Sequence, residues 1–549
     1  MEQLKKSMKF QGRRGPLLVV IMDGVGLNPS PVGNAVAAAQ KPTLDWLMGT
    51  FPFTRLRAHG KAVGLPSDAD MGNSEVGHNA IGAGRVFAQG AQLVNDAIRT
   101  GRLWEGTVWR KMIRNVVDRR STLHFIGLFS DGNVHSHLDH LKAMLVRARD
   151  EGIRRVRLHI LLDGRDVGET SALEYVVPFE CFLSDLNRSG VDFAIASGGG
   201  RMRVTMDRYE ADWNIVKWGW ETHVLGKGDI FPSAETAIRA IREREAGITD
   251  QFLPAFVVGK GGKPAGPVQD GDSVVFFNFR GDRAIEISRA FEEADFNKFD
   301  RIRVPAVEYA GMMEYDGDLK IPKQYLVEPP AIDRTMGELL ANTGVTQLAI
   351  SETQKFGHVT YFWNGNWSGK FNEKLETYIE IPSDKVPFEL RPWMKSAEIT
   401  DRLIDELRSG KHRMLRVNYA NGDMVGHTGV FASAVIGVES VDLALGRLLK
   451  VVAEQQGIAL VTADHGNSDE MFELDKKGNP VVDGQGRIKP KTAHTLNPVP
   501  FLVYDPGFQG EYKFAPVEGP GLSNIAATCL RLIGLEPPAD YEPSLIEIL

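Results

Sequence analysis

Short unbroken apolar runs, each closed by polar turn residues, recur along this 549-residue chain. Leu17–Met22 runs into Asp23-Gly24, Leu123–Phe129 into the segment Ser130 to His135, and Val156–Leu162 into Asp163-Gly-Arg-Asp166. The pattern returns at Asp192–Ala196 before Ser197-Gly-Gly-Gly-Arg201, and at Ser273–Phe277 before the segment Asn278 to Arg283. Three later runs, Val345–Ile350, Leu415–Tyr419 and Ile458–Thr462, precede Lys355, Asp423 and Asp464-His465. Continuous apolar runs of this length predict strands buried on both faces, as in parallel sheets covered by helices. The expected class is therefore α/β, with two three-layer αβα domains. Ligands of open α/β sheets bind outside the carboxyl ends of the strands, so the residues that close these runs are the first candidates for chemistry.

Those residues fall into two chemical sets. Asp23, Ser74, Asp423, His427, Asp464, His465 and His494 lie towards the two ends of the chain, and arginines predominate between them. This arrangement predicts one domain inserted into another: residues 1–89 with 320–549 form a metal-binding domain, and 90–319 an inserted substrate-binding domain. The exchange points are expected around Gly82–Ala91 and Met312–Lys323.

The first set offers carboxylate, imidazole and hydroxyl groups, which suit Mn²⁺, Mg²⁺, Zn²⁺ or Co²⁺ better than soft metals. Asp423 and His427 are four residues apart, so one helical turn brings them to the same face. Asp464 and His465 are adjacent, and both reach a common site only if the chain turns there. Ser74 sits in Asp70-Met-Gly-Asn-Ser74-Glu75, which reads as a loop entering a helix capped by Asn73 or Ser74. A serine among divalent-cation ligands is a candidate nucleophile for phosphoryl transfer. Lys355 is a strand-end cation suited to a phosphoryl group.

In the middle of the chain, Arg165, Arg201 or Arg203, Arg208, Arg280 and Arg283 supply planar forks for a small carboxylate- or phosphate-bearing substrate. Asp166 among them is a candidate acid or base for a substrate hydroxyl. His135, His137 and His140 are equivalent candidates for a further donor.

Composition narrows the reading. With 64 basic and 71 acidic side chains the net charge is −7, so no global field attracts nucleic acid or an anionic membrane. Two cysteines are too few for a disulfide framework. No apolar run approaches the ~20 residues that cross a bilayer. A cytoplasmic protein is the default expectation, and a monomer, since no coiled-coil stripe stands out.

Met-Asp-Gly at 22–24, Gly-Asn-Ser-Glu-Val-Gly-His at 72–78, Asp-Gly-Arg-Asp at 163–166 and Asn-Phe-Arg-Gly-Asp-Arg at 278–283 together resemble the cofactor-independent phosphoglycerate mutases. Ser-Glu-Thr-Gln-Lys at 351–355, Asn-Gly-Asp-Met-Val-Gly-His at 421–427 and Thr-Ala-Asp-His-Gly-Asn at 462–467 extend the resemblance. It implies an alkaline-phosphatase-like metal domain and interconversion of 3-phosphoglycerate and 2-phosphoglycerate through a phosphoserine, without 2,3-bisphosphoglycerate. It further implies two divalent ions, Mn²⁺ foremost with Mg²⁺ or Co²⁺ as alternatives. One would be held by Asp23, Ser74, Asp464 and His465, the other by Asp423, His427 and His494. Ser74 would carry the phosphoryl group and Asp166 would shuttle a proton. His135, Arg165, Arg201, Arg208, Arg280, Arg283 and Lys355 would bind the substrate. Two features depart from the bacterial pattern. The spacing after Gly200 is one residue longer, so Arg201 and Arg203 compete for one role, and Val-Gly-Glu-Thr-Ser after Asp166 lacks prolines. Both look more like the plant and protist branch.

Overall fold

In the computed structural model the chain forms two compact units, Met1–Gln89 with Ala331–Leu549, and Gly90–Pro330. The residues described are 2–65, 67–207, 212–315, 320–328, 330, 332–475, 477–482 and 486–549, so Arg208 lies outside them. The chain returns to the first unit at 330–331 rather than at 319–320. Backbone pairing accounts for the difference. The Leu326 and Val327 N–H groups donate to the Gly311 and Met312 carbonyls at 3.1 and 2.9 Å, and both side chains are buried in the second unit's core.

The first unit is built on a seven-stranded sheet in the order Glu376–Ile381, Gln347–Glu352, Met414–Tyr419, Leu17–Met22, Ile458–Thr462, Val499–Tyr504, Phe53–Leu56. The first five strands are parallel, and Val499–Tyr504 runs antiparallel to both its neighbours. Leu17–Met22 is buried at every position because it has a parallel partner on each side and helices against the sheet. Phe431–Glu454 packs against Pro42–Thr50 and Ser396–Ser409, and Ser74–Ala83 packs against Met336–Asn342 and Asn524–Leu532. The strands without a clear sequence signal have local reasons to be inconspicuous. Glu376–Ile381 is a half-buried edge strand, and Val499–Tyr504, although fully buried, is interrupted by Pro500.

The second unit repeats the plan. Glu308–Gly311, Ser273–Phe276, Leu123–Leu128, Arg155–Leu162 and Asp192–Gly200 are parallel in that order, followed by Phe256–Lys260, antiparallel to the last, and Asp229–Phe231. Neighbouring residues Phe125 and Ile126, like Ile160 and Leu161, fall into two separate apolar cores. Side chains alternate across a strand, so two cores mean a sheet covered on both faces. The strand expected to end at Ala196 continues to Gly200. Its three glycines answer crowding instead of a turn: a Cβ on Gly198 would lie 2.5 Å from the Phe256 ring, and one on Gly200 2.4 Å from the Gln251 backbone. Among the described residues, no helix is long and apolar enough to cross a membrane.

Candidate active site

Four adjacent strands of the first unit end on one edge of its sheet, and each delivers a residue that the sequence singles out. Gln347–Glu352 leads to Lys355, Met414–Tyr419 to Asp423 on the helix Asn421–Gly426, Leu17–Met22 to Asp23, and Ile458–Thr462 to Asp464 and His465. Val499–Tyr504 runs the opposite way, so the preceding loop with His494 arrives at the same edge. Gly24, at φ +75°, permits the close approach of the Asp23 and Asp423 segments; a Cβ there would lie 2.5 Å from the Asp423 backbone nitrogen. Ser74 opens the helix Ser74–Ala83, yet Asn73 caps it by accepting the Val76 N–H at 3.0 Å. The Ser74 hydroxyl is thereby left to other partners.

Those partners are the candidate ligands. Ser74 Oγ is 2.9 Å from His465 Nε2 and 3.3 Å from Asp23 Oδ1, and it accepts a hydrogen bond from Lys355 Nζ. Lys355 Nζ also donates to Asp423 Oδ2 at 2.8 Å and lies 3.0 Å from Asp23 Oδ2. Asp423 Oδ1 is 3.1 Å from His427 Nε2 and 3.2 Å from His494 Nε2, and these two ring nitrogens are 3.0 Å apart. Two groups, Asp23 with Asp464 and His465, and Asp423 with His465 and His494, each bring one ligand atom per residue to within 4.8 Å of the others. His465 belongs to both groups, whereas the family resemblance assigns it to the first.

Several residues that hold these ligands escape a reading based on strand ends. Asn418 Nδ2 donates to Asp23 Oδ2 at 2.7 Å, and Asn467 Nδ2 to Asp423 Oδ1 at 3.1 Å. His78 Nδ1 donates to the Ser74 carbonyl at 2.8 Å. Asp469 fixes the loop of His494 by accepting from Thr495 Oγ1 at 3.1 Å and Asn497 Nδ2 at 2.7 Å. Asn418 is a buried polar residue inside an apolar run, and Asn467 and Asp469 closely follow one, a signal that could have found them; His78, within the helix Ser74–Ala83, carries no such signal.

The second unit gathers the anion-binding candidates at its own strand ends. Arg201 is buried, donates to Asp163 Oδ1 at 2.8 Å and is also bonded to Asp166 Oδ2. Arg203, its competitor in the sequence, is exposed, as is Arg165. Arg283 Nη1 donates to the Met206 carbonyl at 2.6 Å, and Arg280 Nε is 3.3 Å from Asp282 Oδ1. The three histidines separate clearly. His137 Nδ1 accepts the Asp139 N–H and caps a helix, His140 is bound to Asn95 at 2.7 Å, and His135 is buried 3.4 Å from Asp282. Burial pushes His135 well below its ordinary pKa; Asp282 opposes this, and Arg201, Arg280 and Arg283 add to it. Asp163, read from the sequence as part of a turn, is the hub: it accepts from Ser130 Oγ at 2.6 Å and from the Arg165 and Asp166 N–H groups at 3.2 and 3.0 Å.

Comparison with known proteins identifies the family. A family model described as the metalloenzyme superfamily matches residues 15–537. A probable 2,3-bisphosphoglycerate-independent phosphoglycerate mutase of Leptospira interrogans is 55% identical over 99% of this chain and 100% of its own length. The 2,3-bisphosphoglycerate-independent phosphoglycerate mutase of Trypanosoma brucei brucei is 51% identical, over 97% of this chain and 98% of its own. A crystal structure of Leishmania mexicana phosphoglycerate mutase at low cobalt concentration is 50% identical and covers 100% of both chains, with a TM-score of 0.85. The chain belongs to the cofactor-independent phosphoglycerate mutases, within the metalloenzyme superfamily.

For a phosphoglycerate mutase of this family, the donor set fits divalent metal on electrostatic grounds. Three buried carboxylates, Asp23, Asp423 and Asp464, surround the single ammonium of Lys355, and such an excess of buried charge is unfavourable without further cations. Among the described residues, Asp464 Oδ2 is buried without a hydrogen-bond partner. His427 Nδ1 and His494 Nδ1 donate to the Thr492 and Gly72 carbonyls, each at 2.7 Å, so in the neutral rings both facing Nε2 atoms carry lone pairs. Outer hydrogen bonds of this kind orient metal-ligating histidines.

The acid–base properties follow from the same crowding. Burial and the neighbouring Asp464 push the Asp23 carboxyl up to about 6, against the pull of Lys355. Burial would raise Asp423 as well, but Lys355 and His427 more than offset it and hold its carboxylate well below the ordinary range. Burial, with His465 adding to it, lowers His494 to about 3, so its ring is neutral and available as a ligand. In the metal-free protein Asp23 is protonated below pH about 6 and must lose that proton to bind metal. Divalent-metal affinity is therefore expected to fall as the pH drops through about 6, approaching tenfold per pH unit below it for this one proton. Calorimetric titration with Mn²⁺ on either side of that pH checks this; equal affinities would contradict it.

Proposed function

We propose that this chain interconverts 3-phosphoglycerate and 2-phosphoglycerate through a phosphoserine at Ser74, independently of 2,3-bisphosphoglycerate, as a monomer in the cytoplasm. The observation that carries the reading is the Ser74 hydroxyl, free of capping duty and set among His465, Asp23 and Lys355. Asp23, Ser74, Asp464 and His465 would hold one divalent ion, and Asp423, His427 and His494 another, with Mn²⁺ the leading candidate and Mg²⁺ or Co²⁺ the alternatives. When bound, these ions supply positive charge that makes the Ser74 hydroxyl easier to deprotonate.

The remaining chemistry falls to the side chains. Ser74 Oγ attacks phosphorus and gives its hydroxyl proton to solvent, which returns one when Ser74 is later released; the bond from phosphorus to the substrate oxygen breaks, and Asp166 delivers a proton to the departing glycerate oxygen. Lys355 offsets negative charge developing beside Ser74. His135, Arg165, Arg201, Arg208, Arg280 and Arg283 retain the glycerate through its carboxylate and hydroxyls while it reorients. The second hydroxyl then attacks the phosphoserine, Asp166 takes its proton, and Ser74 is restored. Retention is what separates a mutase from a phosphatase, because only a mutase must return the phosphoryl group to the alcohol it has released. An enzyme-coupled assay in both directions, with phosphate release followed in parallel, tests the reading. Turnover without added 2,3-bisphosphoglycerate is expected; phosphate release without isomerisation would replace it with a hydrolase.

A further inference from the structure

A buried polar chain passes from strand to strand through the second unit, outside the residues assigned above. Asp272 Oδ2 lies 3.0 Å from His124 Nε2, His124 Nδ1 lies 2.9 Å from His159 Nε2, and His159 Nδ1 lies 2.7 Å from Ser197 Oγ. Ser197 Oγ is in turn 2.8 Å from His223 Nδ1, and His223 Nε2 is 3.0 Å from Thr205 Oγ1. None of the six residues is more than 3% exposed.

Only one direction of donation satisfies every member. Asp272 also accepts the Thr122 and Gln269 N–H groups, at 2.8 and 2.7 Å, so the carboxylate faces donors alone. Burial lowers the pKa of His124, His159 and His223, and each neutral ring then has one donor and one acceptor nitrogen. His124 Nε2–H donates to Asp272, His159 Nε2–H to His124, Ser197 O–H to His159, His223 Nδ1–H to Ser197, and Thr205 O–H to His223. A buried network satisfied in one way only is rigid, and breaking one link leaves a polar atom without a partner.

The chain ends where rigidity matters. Thr205 has φ +74°, a conformation rarely adopted by a β-branched residue and maintained only when the surroundings enforce it. Here they do so twice, through the Thr205 N–H to the Ile215 carbonyl at 2.8 Å and through the hydroxyl to His223. On one side of Thr205 in sequence stands Arg201, bound to Asp163 and Asp166; on the other stands Met206, whose carbonyl holds Arg283. We propose that Thr205 and His223 are positioning residues that hold residues 201–207 in the conformation that binds phosphoglycerate, a role that rests on the mutase reading above. Ser197, His159, His124 and Asp272 fix the tautomer with which His223 performs it.

Thr205→Val keeps the side-chain shape and removes the donor, whereas Thr205→Ser keeps the donor. In the metal-loaded full-length enzyme, Thr205→Val is expected to raise KM for 3-phosphoglycerate about tenfold while kcat changes less than about threefold, and Thr205→Ser to restore KM. ¹⁵N spectra of the imidazoles are expected to show His223 protonated on Nδ1 in the wild type and in Thr205→Val alike, with the Nε2 resonance shifted in the variant by the loss of its donor. Should Thr205→Val fail to fold, Thr205→Gly accepts φ +74° without strain and carries the same KM expectation. An unchanged KM in a folded variant lacking the hydroxyl overturns the proposal. Absence of mutase turnover in the wild type overturns the mutase reading, and this proposal with it.

Discussion

Ser74→Ala is expected to lower kcat by roughly four orders of magnitude or more, since nothing else in the site can carry the phosphoryl group. The loss should be chemical and not structural. Asn73 caps the helix that Ser74 opens, so its N-terminus keeps its capping bond. Lys355 loses one partner but retains Asp23 and Asp423. Because the arginines proposed to hold the glycerate are untouched, phosphoglycerate affinity should stay within about threefold, an interaction of ground and transition state alike. The checks are the coupled assay, calorimetric binding of phosphoglycerate, and intact-protein mass spectrometry after rapid quenching. A phosphorylated adduct is expected in the wild type only; activity of Ser74→Ala within tenfold of wild type would remove the residue from the reaction.

Stripping divalent metal with a chelator is expected to reduce turnover to background, with recovery on adding Mn²⁺. It should also loosen the first unit at neutral pH. Asp23, Asp423 and Asp464 then face one another with only partial compensation from Lys355 and the neighbouring histidines, whereas a bound cation at a hundredfold excess over its Kd stabilises the folded state by about 2.7 kcal/mol. Thermal unfolding of stripped and reloaded protein measures this, and the reloaded sample should melt higher. His494→Ala should reproduce part of the defect with metal present. It removes one Nε2 from the Asp423 group and leaves the Ser74 contacts in place, so Mn²⁺ binding should weaken by about 10- to 100-fold. Melting temperatures that do not respond to metal would argue against a bimetallic site.

How much of this was legible in the sequence depended on where a residue stands relative to its strand. Asp23, Lys355, Asp423, Asp464 and His465 follow buried apolar runs directly, and a parallel sheet carries all such positions to one edge. Asn418, His124 and His159 were overlooked because they lie inside the runs, where a pattern of apolar residues tolerates an isolated polar one without comment. Their partners are distant in sequence: Asn418 reaches Asp23, and His124 reaches His159 and Asp272. Asp163 was read as a turn because Asp-Gly is common in turns, and its four donors, except for two adjacent backbone groups, come from elsewhere in the chain. The return from the insert was placed early for a related reason. Residues 324–327 pair with Tyr309, Gly311 and Met312, and no local signal announces that pairing.

The position of Leu17–Met22 between Met414–Tyr419 and Ile458–Thr462 has a consequence for synthesis. During translation this central strand is made well before either neighbour, since neither exists until the chain has been extended to residue 414 and beyond. Gly90–Pro330, whose strands pair among themselves, is complete much sooner. An apolar amino-terminal segment must therefore wait, exposed and prone to wrong associations, while the middle of the polypeptide folds ahead of it. Nascent chains halted before residue 414 should accordingly be the ones that chaperones retain.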